Sequence, residues 1–191
     1  MPRPEKTYDR LAGKTAIVTG GGSPEGGIGR SIALLLAAEG AAVCVLDQDE
    51  ARAREVAQLI EVEGGRAIAV AGDISQVDEC RRMVSEAVDA LGGVDILVNN
   101  VGISKSPQSL VDMDFDLWSQ VMDINLKGAV AMSGFAVPSM KARGGGSIVN
   151  IASIAGMQAY GGSAYGPSKA AMIHFTRETA VVQGPPGIRA N

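Results

Sequence analysis

The chain has 191 residues, 46% of them apolar, and a formal net charge of −4. That suits one buried core, and the lack of a basic stripe argues against nucleic acid as a partner. No apolar run is long enough to span a bilayer and residues 1–10 are too charged for a secretory leader, so a cytoplasmic protein that stays off membranes is expected.

Aromatic residues make up only 4%, so the core must be built from Ala, Val, Ile, Leu and Met. Residues 1–10 read as an N-terminal extension to a single domain at 11–191. Short apolar runs at 15–18, 42–46, 67–71, 96–99 and 147–151 predict strands. Helical spacing at 28–39, 50–63 and 77–91 predicts helices stopped by Gly40, Gly64 and Gly92. Residues 114–143 predict one long helix with Asp112 or Asp114 as its cap. A further helix spans 164–183 and is closed by Gly184, Pro185 and Pro186, and 188–191 begins a sixth strand. Cys44 and Cys80 fall in a strand and a helix and are expected as buried free thiols. This alternation, with continuously apolar strands, predicts an α/β fold: a Rossmann-type doubly wound parallel sheet of order 3-2-1-4-5-6. Ligands in such sheets bind beyond the strand C-termini.

Residues 19–29 read Thr-Gly-Gly-Gly-Ser-Pro-Glu-Gly-Gly-Ile-Gly between the first strand and its helix. Glycines let backbone approach a pyrophosphate, and the helix N-terminus offers free N–H groups and a positive dipole end. Asp47 ends the second strand, where a carboxylate can accept from both adenosine ribose hydroxyls and repel a 2′-phosphate, favouring NAD over NADP. It could instead cap the next helix. Asp73 ends the third strand, placed either to reach adenine or to cap.

Tyr165 and Lys169 stand four apart and share a helix face. An ammonium nearby favours the phenolate, so such a Tyr can exchange a proton with a carbonyl or alcohol near neutral pH. Ser153 follows the fifth strand, where its hydroxyl can hold a substrate oxygen or merely cap a turn. Asn125 lies inside the long helix, an unfavourable place for Asn, as an inward functional amide or a satisfied buried one.

These landmarks, with Asn99, Asn100, Val101 and Gly102, resemble the short-chain dehydrogenase/reductase family from about Leu11 to Asn191. The resemblance implies Tyr165 as general acid/base, Lys169 on the nicotinamide ribose and lowering the Tyr165 pKa, Ser153 orienting the substrate oxygen, and Asn125 holding a proton-relaying water. It implies a cofactor surface of Gly20, Gly22, Ser23, Gly27, Ile28, Gly29, Asp47, Asp73, Ile74, Asn100, Val101 and Gly102, together with Tyr165 and Lys169. Residues 99–102 would also steady the sheet. The two last long helices would pair between subunits in a homodimer or homotetramer.

The chain departs from the family pattern in four places. The glycine loop carries three extra residues, including Pro24 and Glu25, so Glu25 must face away from the pyrophosphate. Val101 replaces an alanine. Pro167 sits between Tyr165 and Lys169, which a first helical turn tolerates, so that helix is expected to begin near Ser163. Family members continue into a substrate-closing segment and a last strand; with neither after Asn191, poor water exclusion and weak turnover are expected.

The leading expectation is an NAD-dependent alcohol dehydrogenase or ketone reductase acting on a small molecule. The alternatives are a related epimerase or dehydratase with tightly held NAD, and a cofactor-binding module without catalysis. Residues 104–109 and 154–162 are expected to line the substrate pocket. His174 lacks a metal-ligand cluster and reads as packing or surface, so no metal is expected. Trp118 reads as a core or interface anchor.

Overall fold

A computed structural model describes residues 9–107, 110–159 and 161–191. Most of the expected N-terminal extension, and Gln108, Ser109 and Tyr160 of the expected pocket lining, lie outside the described residues.

The elements run β1 (Thr15–Thr19), α1 (Ile28–Ala38), β2 (Ala42–Asp47), α2 (Glu50–Val62), β3 (Ala67–Ala71), α3 (Val77–Leu91) and β4 (Ile96–Asn99). Then follow α4 (Phe115–Met122), a π-helical turn (Asp123–Lys127), α5 (Gly128–Ala142), β5 (Gly146–Asn150), a 3-10 turn (Ile154–Gly156), α6 (Tyr165–Gln183) and β6 (Ile188–Ala190). All six strands are parallel in the order β3-β2-β1-β4-β5-β6, as the sequence pattern predicts.

Strand residues alternate between two cores, because successive side chains point to opposite faces. Ile17, Cys44, Leu46 and Leu97 pack with Met83 and Ala87 of α3 and Met132 and Ala136 of α5. Val18, Val43, Val45 and Val98 pack with Ala33 of α1 and Val56 and Ile60 of α2. Both cysteines are free and buried, and burial pushes the Cys44 thiol up to about 12 and the Cys80 thiol up to about 11. No helix among the described residues is long and apolar enough to cross a membrane.

Two boundaries differ from the sequence pattern. The single helix expected over 114–143 is divided by the π-helical turn, a wide turn of the kind that often marks functional positions. Just past it the helix crosses the Ile74 backbone so closely that a Cβ on Gly128 would lie 2.6 Å from the Ile74 carbonyl oxygen. Asp114, not Asp112, caps α4 by accepting from Leu117 N–H at 2.8 Å. The last long helix begins at Tyr165 rather than near Ser163, so Pro167 is its third residue, where its missing N–H costs no helical bond.

Candidate active site

The loop after β1 turns back at Gly20, whose φ of +66° is a left-handed conformation suited to glycine. A Cβ on Gly29 would collide with the Gly20 carbonyl oxygen, and one on Gly27 with the Ser23 hydroxyl. Both glycines therefore permit α1 to start directly against the loop. Gly27 caps α1 without a side chain, and the Ser23 hydroxyl accepts from Arg30 N–H at 3.0 Å. Glu25 is exposed at the loop tip.

Asp47 does not cap α2. Asp49 does, accepting from Arg52 N–H at 3.2 Å. The Asp47 carboxylate is instead oriented by backbone: Gly22 N–H and Asp49 N–H each donate to one of its oxygens at 3.1 Å. Asp73 does not cap α3 either, since that position is Gln76. Its carboxylate accepts from Ser75 N–H at 2.9 Å in a local turn.

These groups line one cleft of about 520 Å³ at the C-terminal ends of the strands. Among its walls are Gly20, Ser23, Ile28, Gly29, Asp47, Asp73, Ile74, Asn100, Val101, Gly102, Tyr165 and Lys169. Pro24, Gln48, Arg52 and Ala152 also line it. Gly22 and Gly27 shape the loop without lining the cleft. Glu25 does not line it either.

The wall beyond β4 is fixed by side chains. Thr19 Oγ1 accepts from Asn100 N–H at 2.9 Å and Val101 N–H at 3.2 Å, and Asn100 Nδ2 donates to the Thr19 carbonyl at 2.9 Å. Asn99 Nδ2 donates to Asn150 Oδ1 at 2.8 Å, tying β4 to β5. Asn125 is fully buried in the π-helical turn. Its Oδ1 accepts from Ile103 N–H at 2.8 Å, and its Nδ2 donates to the Ile103 carbonyl at 2.9 Å and the Ser168 hydroxyl at 3.0 Å. The satisfied amide and the functional amide are thus compatible, because these bonds fix the segment that borders the cleft.

Lys169 is buried, and burial pushes its pKa down from the ordinary lysine value. Its Nζ donates to the Ile151 carbonyl at 2.7 Å and lies 6.0 Å from the centre of the Tyr165 ring. Ser153 caps the 3-10 turn by accepting from Ala155 N–H at 3.2 Å, which leaves its O–H free to donate elsewhere. That turn lies against α6: a Cβ on Gly156 would be 2.7 Å from the Lys169 carbonyl carbon. Thr19, Ser106, Ser168 and Trp118 also hold this site through hydrogen bonds to Asn100, Ala164, Asn125 and Ser163 respectively. The sequence marks Thr19 as the start of the glycine loop, Ser106 within the expected pocket lining and Trp118 as an anchor, and gives no signal for Ser168. His174 is exposed on α6, 3.2 Å from Glu178.

The sequence profile of the short chain dehydrogenase family matches residues 14–191. The chain belongs to the short-chain dehydrogenase/reductase family. It is 35% identical to a short chain dehydrogenase/reductase of Colletotrichum higginsianum, over 100% of this chain and 71% of the relative. It is 37% identical to 3beta-hydroxysteroid dehydrogenase 2 of Eggerthella lenta, over 95% of this chain and 69% of that protein. The solved structure of 7 alpha-hydroxysteroid dehydrogenase complexed with NADH and 7-oxo glycochenodeoxycholic acid is 36% identical, with a TM-score of 0.89 over 95% of this chain and 70% of that one.

A nicotinamide dinucleotide fits the site of this family member on its own geometry. The cleft volume falls within the range of about 300–1,000 Å³ typical of ligand clefts. Gly20 and Gly29 let the loop and the first turn of α1 pack together on one wall, the N-cap residue Gly27 has no side chain to cover the helix N-terminus, and a backbone-oriented carboxylate stands on the same wall.

Proposed function

We propose that this chain is an NAD(H)-dependent oxidoreductase that interconverts a secondary alcohol and a ketone, with Tyr165 as general acid/base. One observation carries the reading: a single cleft is bordered by the Gly20–Gly29 cradle and Asp47 and also by Tyr165 and Lys169.

Gly20, Ser23, Ile28 and Gly29 would hold the pyrophosphate, Asp47 the adenosine ribose, and Asp73, Ile74, Asn100, Val101 and Gly102 the adenine side. Tyr165 and Lys169 would hold the nicotinamide ribose. When bound, the nicotinamide ring supplies or accepts the hydride. In reduction, the Tyr165 hydroxyl gives its proton to the substrate oxygen; in oxidation it takes one from the alcohol. The Ser153 O–H, set by its bond with Ala155 N–H, donates to the same oxygen and holds it towards Tyr165. The Lys169 ammonium stands beside the ring where negative charge develops. Asn125 keeps residue 103 and α6 in register.

Asp47 supports NAD rather than NADP, because its carboxylate would meet a 2′-phosphate. Arg52 shares that wall, but it is paired with Asp49 at 3.2 Å. Ile154 and Met157, which follow Ser153, are 60% and 72% exposed, and this supports an apolar substrate. A hydroxysteroid-like alicyclic alcohol fits that surface and the names of two relatives. A homo-oligomer formed through α4–α6 is part of the same reading; Phe115, Val181 and Val182 are exposed there.

The test is Tyr165→Phe, assayed for turnover of hydroxysteroids and their ketones and titrated with NADH and NADPH. Loss of turnover by about 10²–10⁴-fold with NADH binding intact is expected. Undiminished turnover would remove Tyr165 from the mechanism, and tighter binding of NADPH than NADH would overturn the role of Asp47.

A further inference from the structure

The helix that carries Tyr165 and Lys169 lacks a cap of its own. Ala164, at its N-cap position, offers no side-chain acceptor and has φ −120° and ψ −51°. Its residue is fully buried, so its N–H must find an acceptor inside the protein. The acceptor comes from 58 residues earlier: Ser106 Oγ accepts from Ala164 N–H at 2.8 Å and from Tyr165 N–H at 3.3 Å.

We infer that Ser106 is a positioning residue for Tyr165, supplying from the segment after β4 the cap on which the catalytic helix starts. The inference rests on the reading of Tyr165 as the proton-transfer group. Three neighbouring contacts make Ser106 a fixed support. The Pro107 carbonyl accepts from both Ser163 N–H and the Ser163 hydroxyl at 3.0 Å, so Ser163 is turned away from capping its own helix. Trp118 Nε1 donates to the Ser163 carbonyl at 3.1 Å. Three residues before Ser106, Ile103 is held through both its N–H and its carbonyl by Asn125.

Removing the Ser106 oxygen leaves a buried N–H without its partner. The start of α6 then has reason to unwind, and Tyr165 is its first residue. An error of about 1 Å in a reacting group costs roughly a hundredfold in rate.

The experiment compares Ser106→Ala and Ser106→Thr with the unaltered chain. It measures kcat, the NADH dissociation constant and amide hydrogen exchange over residues 163–170. Threonine keeps the accepting oxygen. The expected result for Ser106→Ala is a kcat lower by roughly ten- to a hundredfold. Little change in NADH affinity and faster exchange at residues 164 and 165 should accompany it, and Ser106→Thr should restore both kcat and exchange. Unchanged exchange or unchanged kcat in Ser106→Ala overturns the inference. So does faster exchange throughout the chain with weakened NADH binding, which marks general destabilisation. Failure of the underlying reading would show separately, as undiminished turnover in Tyr165→Phe, while the exchange measurement would still decide whether Ser106 caps α6.

Discussion

On the β1–β2 wall of the cleft, the holding bonds are mostly short in sequence. Ser23 accepts from Arg30 seven residues on, and Asp49 from Arg52 three residues on; Asp47 reaches back 25 residues to Gly22. On the β4–α6 wall the bonds that fix the start of α6 and the segment before it are long. Ser106 accepts from Ala164 across 58 residues, Trp118 reaches Ser163 across 45, and Asn125 reaches Ser168 across 43. The first wall is a strand–turn–helix unit whose loop and helix starts are held mostly by local bonds, with Asn100 and Val101 tying the end of β1 to β4. The second is assembled by tertiary contacts, and such assemblies open at lower free energy when those contacts weaken. Cofactor binding and proton transfer should therefore be separable by mutation.

The largest effect is expected on the short-range wall. In Gly29→Ala the new Cβ meets the Gly20 carbonyl oxygen, which is backbone and cannot swing aside, and comes within 2.6 Å of Asn100 Nδ2. We expect a loss of about 3 kcal/mol in stability, with NADH binding abolished in a titration. Wild-type NADH affinity in Gly29→Ala would show that close approach of loop and helix does not define this wall.

On the long-range wall, Asn125→Ala removes three hydrogen bonds from a fully buried side chain and leaves the Ile103 N–H and carbonyl without this partner, while the Ser168 hydroxyl keeps only its donation to the Tyr165 carbonyl. A loss of about 2 kcal/mol is expected from denaturant unfolding. Turnover should fall far more than NADH affinity, because the β1–β2 wall is untouched. Asn125→Asp keeps the acceptor for Ile103 N–H and loses both donated bonds, so it should lie between the two. A parallel loss of turnover and NADH affinity would mean that the two walls form one cooperative unit.

The same contrast governs what the amino-acid sequence disclosed. The strand order, the glycine loop and the carboxylate at Asp47 are visible because they depend on periodicity and on residues close in the chain. The competing capping role of Asp47 fell to Asp49, two residues on, a difference within the uncertainty of any helix start. The π-helical turn around Asn125 was not legible, because apolar spacing over 114–143 suits one uninterrupted helix. The start of α6 was legible to within two residues, but its cap was not. Ser163 stands just before the helix, but its hydroxyl and N–H both donate to the Pro107 carbonyl, and the cap comes from Ser106. No local signal marks a serine as the acceptor for a helix 58 residues away.

A long-range tie remote from the cleft provides the control for this comparison, with the smallest expected effect. Asp95 lies at the opposite end of the sheet, just before β4. Its Oδ2 accepts from Thr15 N–H at 2.9 Å, the Thr15 hydroxyl at 3.1 Å and Arg143 Nη2 at 2.8 Å, and Lys14 Nζ stands 3.5 Å from its Oδ1. Burial pushes its pKa up, but the Arg143 and Thr15 hydrogen bonds outweigh burial and hold the carboxyl below the ordinary Asp value. The native state thus binds this proton less readily than the unfolded state does. Its stabilisation is fully present above the unfolded value of about 3.9 and is lost as the pH falls through the lower folded value. Asp95→Asn should flatten the acid limb of stability in that window, read as a smaller change in unfolding free energy between neutral pH and acid. NADH binding and turnover at neutral pH should stay as they were, since neither wall of the cleft rests on Asp95. If Asp95→Asn lowered turnover as Asn125→Ala does, long-range ties in general would control catalysis, and the distinction drawn for the β4–α6 wall would fail.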